Sequence, residues 1–379
     1  MRSLLLTTIV TVLLPAIAGA APATAPASAS ADSPAFRGGG ALTGAVADFP
    51  APPYKVRWTY VTSDEDRAGV EGSAAIVGDT VYVADNKGVV HAIDLASGKN
   101  RWKYVTDNGF ETTPLVHDGK LFIGDLSGVF HAVDAATGKV LWTHDTESQI
   151  HSSANTDGQR LVFGNDAGEI IAMSFDGKVL WTNEAGDRVN SCPAIRDGVA
   201  YVAGCDATLR AVRMDTGKQV FGAAMPALSG GSPAVLEDRI VVGTDQGHVA
   251  AFSPQGKQLW DYDQIGNEAM VYSSPAVADG LVVVGARDRS VHAIDAGTGE
   301  AKWTFEARND VDGSPVISGG RVYIGARDKK LYVLDLKTGK KLWDFTAGRA
   351  IGGGAAIGRG VLVITDSAGN VYCLEPTEQ

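Results

Sequence analysis

Six residues able to bind a cation or move a proton, Glu71, Glu111, His151, Asn190, Tyr272 and Asp312, occupy one position of a pattern that returns every forty residues or so. Each stands three places before a residue that is usually proline: Ala74, Pro114, Ala154, Pro193, Pro233, Pro275, Pro315 and Ala355. Gly230 and Gly352 complete the polar series. One place earlier the residues are mostly apolar: Val70, Phe110, Ile150, Val189, Val271, Val311 and Ile351. Neighbouring strand positions face opposite ways, so the polar series shares one face. Its members differ from unit to unit while the positions around them repeat. A set of this kind could take a cation, a polar ligand or a basic peptide. Its carboxylates are of the type calcium prefers, though spacing alone does not make them converge. The plain alternative is a water-filled funnel. Arg287 and Arg327, in two neighbouring units, are expected on the same face, as a basic patch or simply solvated.

Other reactive side chains read as architectural. An aspartate recurs in turn contexts at Asp85, Asp125, Asp166, Asp206, Asp245, Asp288, Asp328 and Asp366, as expected of side chains that cap a loop. His91, His131 and His292 share a position with Tyr332 and Tyr372, which reads as a packing site away from any centre. No Cys-x-x-Cys, His-x-x-x-His or haem-attachment spacing occurs, so no metal site is expected. Of three cysteines, Cys373 aligns with Ala92, Ala132, Ala211 and Ala293 and reads as a small buried residue. Cys192 and Cys205 flank one turn, and a disulfide between them stays open.

The elements that must position these residues come from the repeat. Trp58, Trp102, Trp142, Trp181, Phe221, Trp260, Trp303 and Trp343 recur at intervals of 44, 40, 39, 40, 39, 43 and 40 residues. One unit, GSPVISGGRVYIGARDKKLYVLDLKTGKKLWDF (313–345), divides into four short strands. Its last turn, Lys337-Thr338-Gly339, has counterparts at Gly98, Gly138, Gly217 and Gly299, where glycine supplies the positive φ of short hairpins. A four-stranded unit of this size cannot bury both faces alone. Radial stacking buries them, and closing the ring protects the edges. The expected fold is therefore all-β, an eight-bladed β-propeller of residues 54–376. Trp58 lies in an outer-strand segment with no strands before it, and the unit 351–374 has no outer strand. The N-terminal strand is expected to complete the last blade.

Units such as SSPAVADGLVVVGARDRSVHAIDAGTGEAKWTF resemble PQQ-type propeller repeats over about 56–375, close to the outer-membrane assembly lipoprotein BamB and its relatives. The segment SPAFRGGGALTG resembles the FRG stretch that precedes such repeats in exported planctomycete-type proteins. The tryptophans match that family's docking tryptophans, which clamp adjacent blades. The resemblance implies a non-catalytic scaffold of the cell envelope that contacts an outer-membrane assembly partner or another envelope protein. Enzymes on the same repeat imply an alternative, a quinoprotein dehydrogenase using PQQ and calcium. Those enzymes have an aspartate base, a tryptophan floor and a disulfide between adjacent cysteines. Asp312, Glu71 and Asn190 are the right residue types. No two cysteines here are adjacent, and all seven tryptophans belong to outer strands. Neither PQQ nor calcium is the favoured expectation.

The N-terminus reads as a signal peptide, residues 1–20: Arg2, an apolar run from Leu4 to Ile17, then small residues. The run is too short for a stable membrane span, and no cysteine follows it for lipid attachment. Residues 21–53 read as an Ala/Pro/Ser-rich lead-in, flexible to about residue 35 and stiffened by Pro50, Pro52 and Pro53. A periplasmic or secreted monomer without a membrane anchor is expected. The net charge of −11 argues against nucleic acid as a partner. The acidic segment from Ser63 to Glu71, with Asp64, Glu65 and Asp66, is a further expected contact for a basic partner. No nucleophile elbow, phosphate loop or zinc motif points to another enzyme.

Overall fold

The computed structural model describes residues 31–63, 68–266 and 268–377. The expected signal peptide and the acidic residues Asp64, Glu65 and Asp66 lie outside them. Eight four-stranded antiparallel sheets form the ring of an eight-bladed propeller. Blades 1 to 7 occupy residues 75–105, 115–145, 155–184, 194–224, 234–262, 276–306 and 316–346 in chain order. Blade 8 joins the inner three strands of residues 356–376 to the first strand, Tyr54–Val61. Trp58 pairs with Cys373 and Val61 with Asn370, so both chain ends close the ring within one sheet.

Within a blade the burial follows strand position. In blade 7 Arg321–Gly325 is buried from its second residue on, whereas the outer strand of blade 6, Ala301–Glu306, alternates between exposed and half-buried. The inner strands face neighbouring blades on both sides and therefore carry β-branched residues and alanine. The outer strand meets solvent on one face, and its indole enters the joint with the next blade.

Six of the eight joints are built the same way. The Trp102 indole N–H donates to Ala135 O at 3.0 Å in the next blade, and Trp58, Trp142, Trp181, Trp260 and Trp303 do likewise. The ring also lies on the turn glycine of that blade. A Cβ at Gly339, whose φ is 68°, would stand 2.5 Å from the Trp303 ring. Glycine is required there for close approach as well as for backbone conformation. Opposite seven of the eight aromatics sits a small residue, such as Ala92 against Trp102 and Ala293 against Trp303, whereas Val333 faces Trp343. Cys373 fills that place against Trp58, buried as its alignment implied, and burial pushes its thiol up to about 12.

The described part of the lead-in differs from a flexible leader. Residues 31–47 run round one face of the ring as a strap. The inner-strand amides of Ile76, Val116, Ile195, Val235, Val277 and Ile317 donate to the carbonyls of Ser33, Pro34, Gly40, Ala41, Thr43 and Gly44 at 2.8–2.9 Å. Blade 3 binds Gly40 through both ends of the Asn155 amide, and in blade 8 the Arg359 amide donates to Ala31 O. The strap thus touches every blade. These amides converge on the axis away from water and need acceptors. Gly38, Gly39 and Gly40 all have positive φ, which lets the strap turn at the centre.

Candidate binding site at the channel mouth

The axial channel holds a cup of about 180 Å³ that has Phe36 of the strap among its lining residues. Its upper tier is the series read from the repeat: Glu71, Glu111, His151, Asn190, Tyr272 and Asp312 all line it, with Gly230 and Gly352. The apolar residues one place earlier, such as Val70, Phe110 and Val311, are buried between blades. That burial fixes which way each polar neighbour points.

A second turn position repeats round the mouth. The amides of Asn86, Leu126, Asp166, Cys205, Asp245, Arg287, Arg327 and Ser367 donate to Gly69, Gly109, Gln149, Arg188, Leu228, Met270, Asp310 and Ala350 at 2.9–3.0 Å. This register corrects the aspartate series. Asp85, Asp125 and Asp366 hold the first turn position and Asp206, Asp288 and Asp328 the third. All six accept amides of their own turn, as Asp85 Oδ1 does from Lys87 and Val89. Asp166 and Asp245 hold the second position, beside Arg287 and Arg327, and Oδ1 of each is buried without a partner. The histidine position is also more than packing. His91 Nε2 lies 2.9 Å from Asp85 Oδ2, and its Nδ1 lies 2.9 Å from the hydroxyl of Tyr60 across the joint. Tyr372 serves the same role by donating to Asp366 Oδ2. Either residue type supplies a donor to the buried aspartate.

The mouth neutralises much of its own charge. Asp312 accepts Arg287 Nε at 2.9 Å and Nη2 at 3.1 Å, and Arg327 Nε at 2.6 Å. Burial opposes ionisation of Asp312, but the two arginines prevail and hold its carboxyl below the usual range. Both guanidiniums are therefore paired while keeping part of their surface in solvent, and that of Arg287 also lies 4.3 Å from the Tyr272 ring centroid. His151 Nδ1 lies 3.0 Å from Glu111 Oε2. That hydrogen bond lowers the Glu111 carboxyl and raises the imidazole. Glu71 is different. No described residue pairs with or hydrogen-bonds its carboxylate, and desolvation by the wall, then Glu111, pushes it above the carboxylate range.

Below the mouth lies a tier absent from the sequence reading. The amides of Ser73, Thr113, Cys192, Ser232 and Ser274 donate across the joints to the hydroxyls of Thr113, Ser153, Ser232, Ser274 and Ser314 at 2.8–3.0 Å. A serine or threonine just before the usual proline in six of eight units was the available signal. Blade 8 has Gly354 there, and Ser73 Oγ, 4 % exposed in its residue, finds no partner. Asn190 Oδ1 is likewise buried and unpartnered.

The strap supplies the floor. Phe36 faces the cup, and Arg37 faces a second hollow of about 410 Å³ that the strap encircles. Arg37 donates from Nη2 to Pro275 O at 2.6 Å, while Nε and Nη1 have no partner. Burial brings the guanidinium down to about 9. Cys192 lines the cup and Cys205 the second turn position; both thiols are free, so the possible disulfide is not formed. Among the described residues no three of His, Cys, Asp and Glu stand together as a metal cluster, and no helix is long and apolar enough to cross a membrane.

Four-stranded blades on one repeat, clamped by docking tryptophans around a polar cup, define a PQQ-type β-propeller. The family described as outer membrane protein assembly factor BamB matches residues 44–156, 126–272 and 246–378, and the chain belongs to that family. Among curated proteins it is similar to BamB of Yersinia pestis, at 26 % identity over 60 % of this chain and 55 % of that protein. Curated relatives are matched over 35 % to 55 % of their own length. Among solved structures, a quinohemoprotein alcohol dehydrogenase from Comamonas testosteroni has a TM-score of 0.79 at 16 % identity, covering 92 % of this chain and 81 % of that one. BamB from Moraxella catarrhalis has a TM-score of 0.73 at 18 % identity, covering 85 % and 100 %. At those identities the likenesses show the fold alone.

Proposed function

We propose that this chain is an exported, non-catalytic binding propeller of the cell envelope, working as a monomer that docks a protein partner at the channel mouth. The observation that carries the reading is the state of Asp312, whose two oxygens are both bound by Arg287 and Arg327. An aspartate held this way is a poor proton acceptor. The named function of its relatives in outer-membrane protein assembly agrees with docking, and the apolar run at residues 4–17 supports export.

A second reading, a PQQ- and calcium-dependent dehydrogenase, draws support from Glu71 and Asn190, whose acceptor oxygens stay uncommitted on the cup wall. The rest of the cup fits that cofactor poorly. Phe36 rather than an indole lies at the floor, Cys192, the cysteine lining the site, has no cysteine next to it, and Asp312 is engaged. Titrating the purified protein with PQQ plus calcium, followed by tryptophan fluorescence and calorimetry, is expected to give no saturable signal. One-to-one binding at micromolar affinity or better would overturn the binding reading. In cells, a photo-crosslinking residue replacing Tyr272 is expected to trap an envelope protein.

A further inference from the structure

The cup leaves one set of acceptors without donors. Glu71 is the mouth carboxylate with no hydrogen-bonded guanidinium or imidazole, Arg327 acting on it only through space, whereas Asp312 holds two guanidiniums and Glu111 one imidazole. Ser73 Oγ, buried and unpartnered, lines the same cavity below it. Asn190, three blades further round the ring, also lines the cup, and its Oδ1 is unpartnered. Buried acceptors without donors are costly, so a ligand bringing several N–H groups is favoured there. We propose that the cup is a socket for one primary ammonium group, the side chain of a lysine on a protein partner, received by Glu71 with Ser73 and Asn190 as neutral acceptors. This inference rests on the binding-propeller reading and names what that propeller binds.

Size and shape favour a lysine over the other cations. The cavity of about 180 Å³, with Phe36 of the strap in its lining, suits a single side chain better than a threaded peptide. An ammonium is compact, with three donors that rotate to meet acceptors on separate walls. A guanidinium needs a coplanar pair of acceptors, and the mouth carboxylate placed for one already holds two arginines. Calcium takes six to eight oxygen ligands, commonly several carboxylates. Here two of the three carboxylates are committed to neighbours. Tyr272, 38 % exposed at the rim and beside Gly230, offers an apolar wall for a methylene stem.

The test titrates the full chain with Nα-acetyl-lysine methylamide, read by calorimetry and NMR. Saturable one-to-one binding is expected, with no saturation by the Nε-acetylated analogue. Glu71→Gln should weaken binding by about tenfold or more, the loss typical of a charge-assisted hydrogen bond. Asn190→Ala should weaken it less, and thermal melts check that both variants fold. Equal binding of the acetylated analogue, or an unchanged affinity in Glu71→Gln, overturns the proposal. So does calcium that binds one-to-one and excludes the probe. Crosslinking from position 272 separates this from the broader reading. Partner capture that is equal in wild type and Glu71→Gln leaves a docking propeller without a lysine socket. Loss of capture in both removes the docking reading itself.

Discussion

At Glu71 the wall of the cup and the nearby Glu111 charge both oppose ionisation. The folded protein therefore holds the Glu71 proton more tightly than the unfolded chain does. Stability contributed by this residue is fully present below the ordinary carboxylate range and is lost as pH rises through the raised value. At neutral pH the ionised group is a liability to folding. Glu71→Gln is expected to raise the melting temperature at pH 7, and the gain to vanish below about pH 4, where both states are protonated. A gain that persists in acid would mean the effect is not electrostatic. Much of the mouth was legible because one repeat aligns eight copies of each position, so Glu71 and Asp312 could be placed on one face from spacing alone. The pairing of Arg287 and Arg327 with Asp312 was not, because it joins side chains of separate units whose reach no spacing specifies. The aspartates were misaligned for a related reason. A carboxylate can cap this turn from either of two positions, so the residue type recurs without the register.

The joint between blades is the element on which the rest depends. Trp303 gives a hydrogen bond to Leu336 O and covers Gly339. Blade 4 shows what a smaller ring can do, since Phe221 lies over Gly256 in the same way without an N–H to donate. Trp303→Phe is therefore expected to cost about 1 kcal/mol, the value of one hydrogen bond. Trp303→Ala should cost about 2–4 kcal/mol, discounted from a full core deletion because the ring is half-buried. Urea denaturation measures both, and equal losses would show that packing contributes nothing beyond the N–H. These joints were readable because tryptophan and glycine recur in step. The strap was not. It binds mostly through backbone carbonyls, which any residue supplies, and it carries no period.

For the whole molecule, stability rests on a ring that is closed twice. The first strand completes blade 8, and the strap touches every blade on the far face. Deleting 54–61 would leave the inner strands of blade 8 with an open edge and remove Trp58 from its joint with blade 1. The expected outcome is loss of a single cooperative thermal transition, measured by calorimetry. An unchanged melt would mean that closure by the first strand is dispensable. The same pairing governs timing. Trp58 is among the first residues of the propeller to be synthesised, and Cys373, its partner, among the last. Early blades can form while the chain is still emerging, but the circle cannot shut until nearly all of it has appeared. The unfinished molecule is thus an open arc with two unpaired ends, and its permanence begins only when the oldest strand meets the newest.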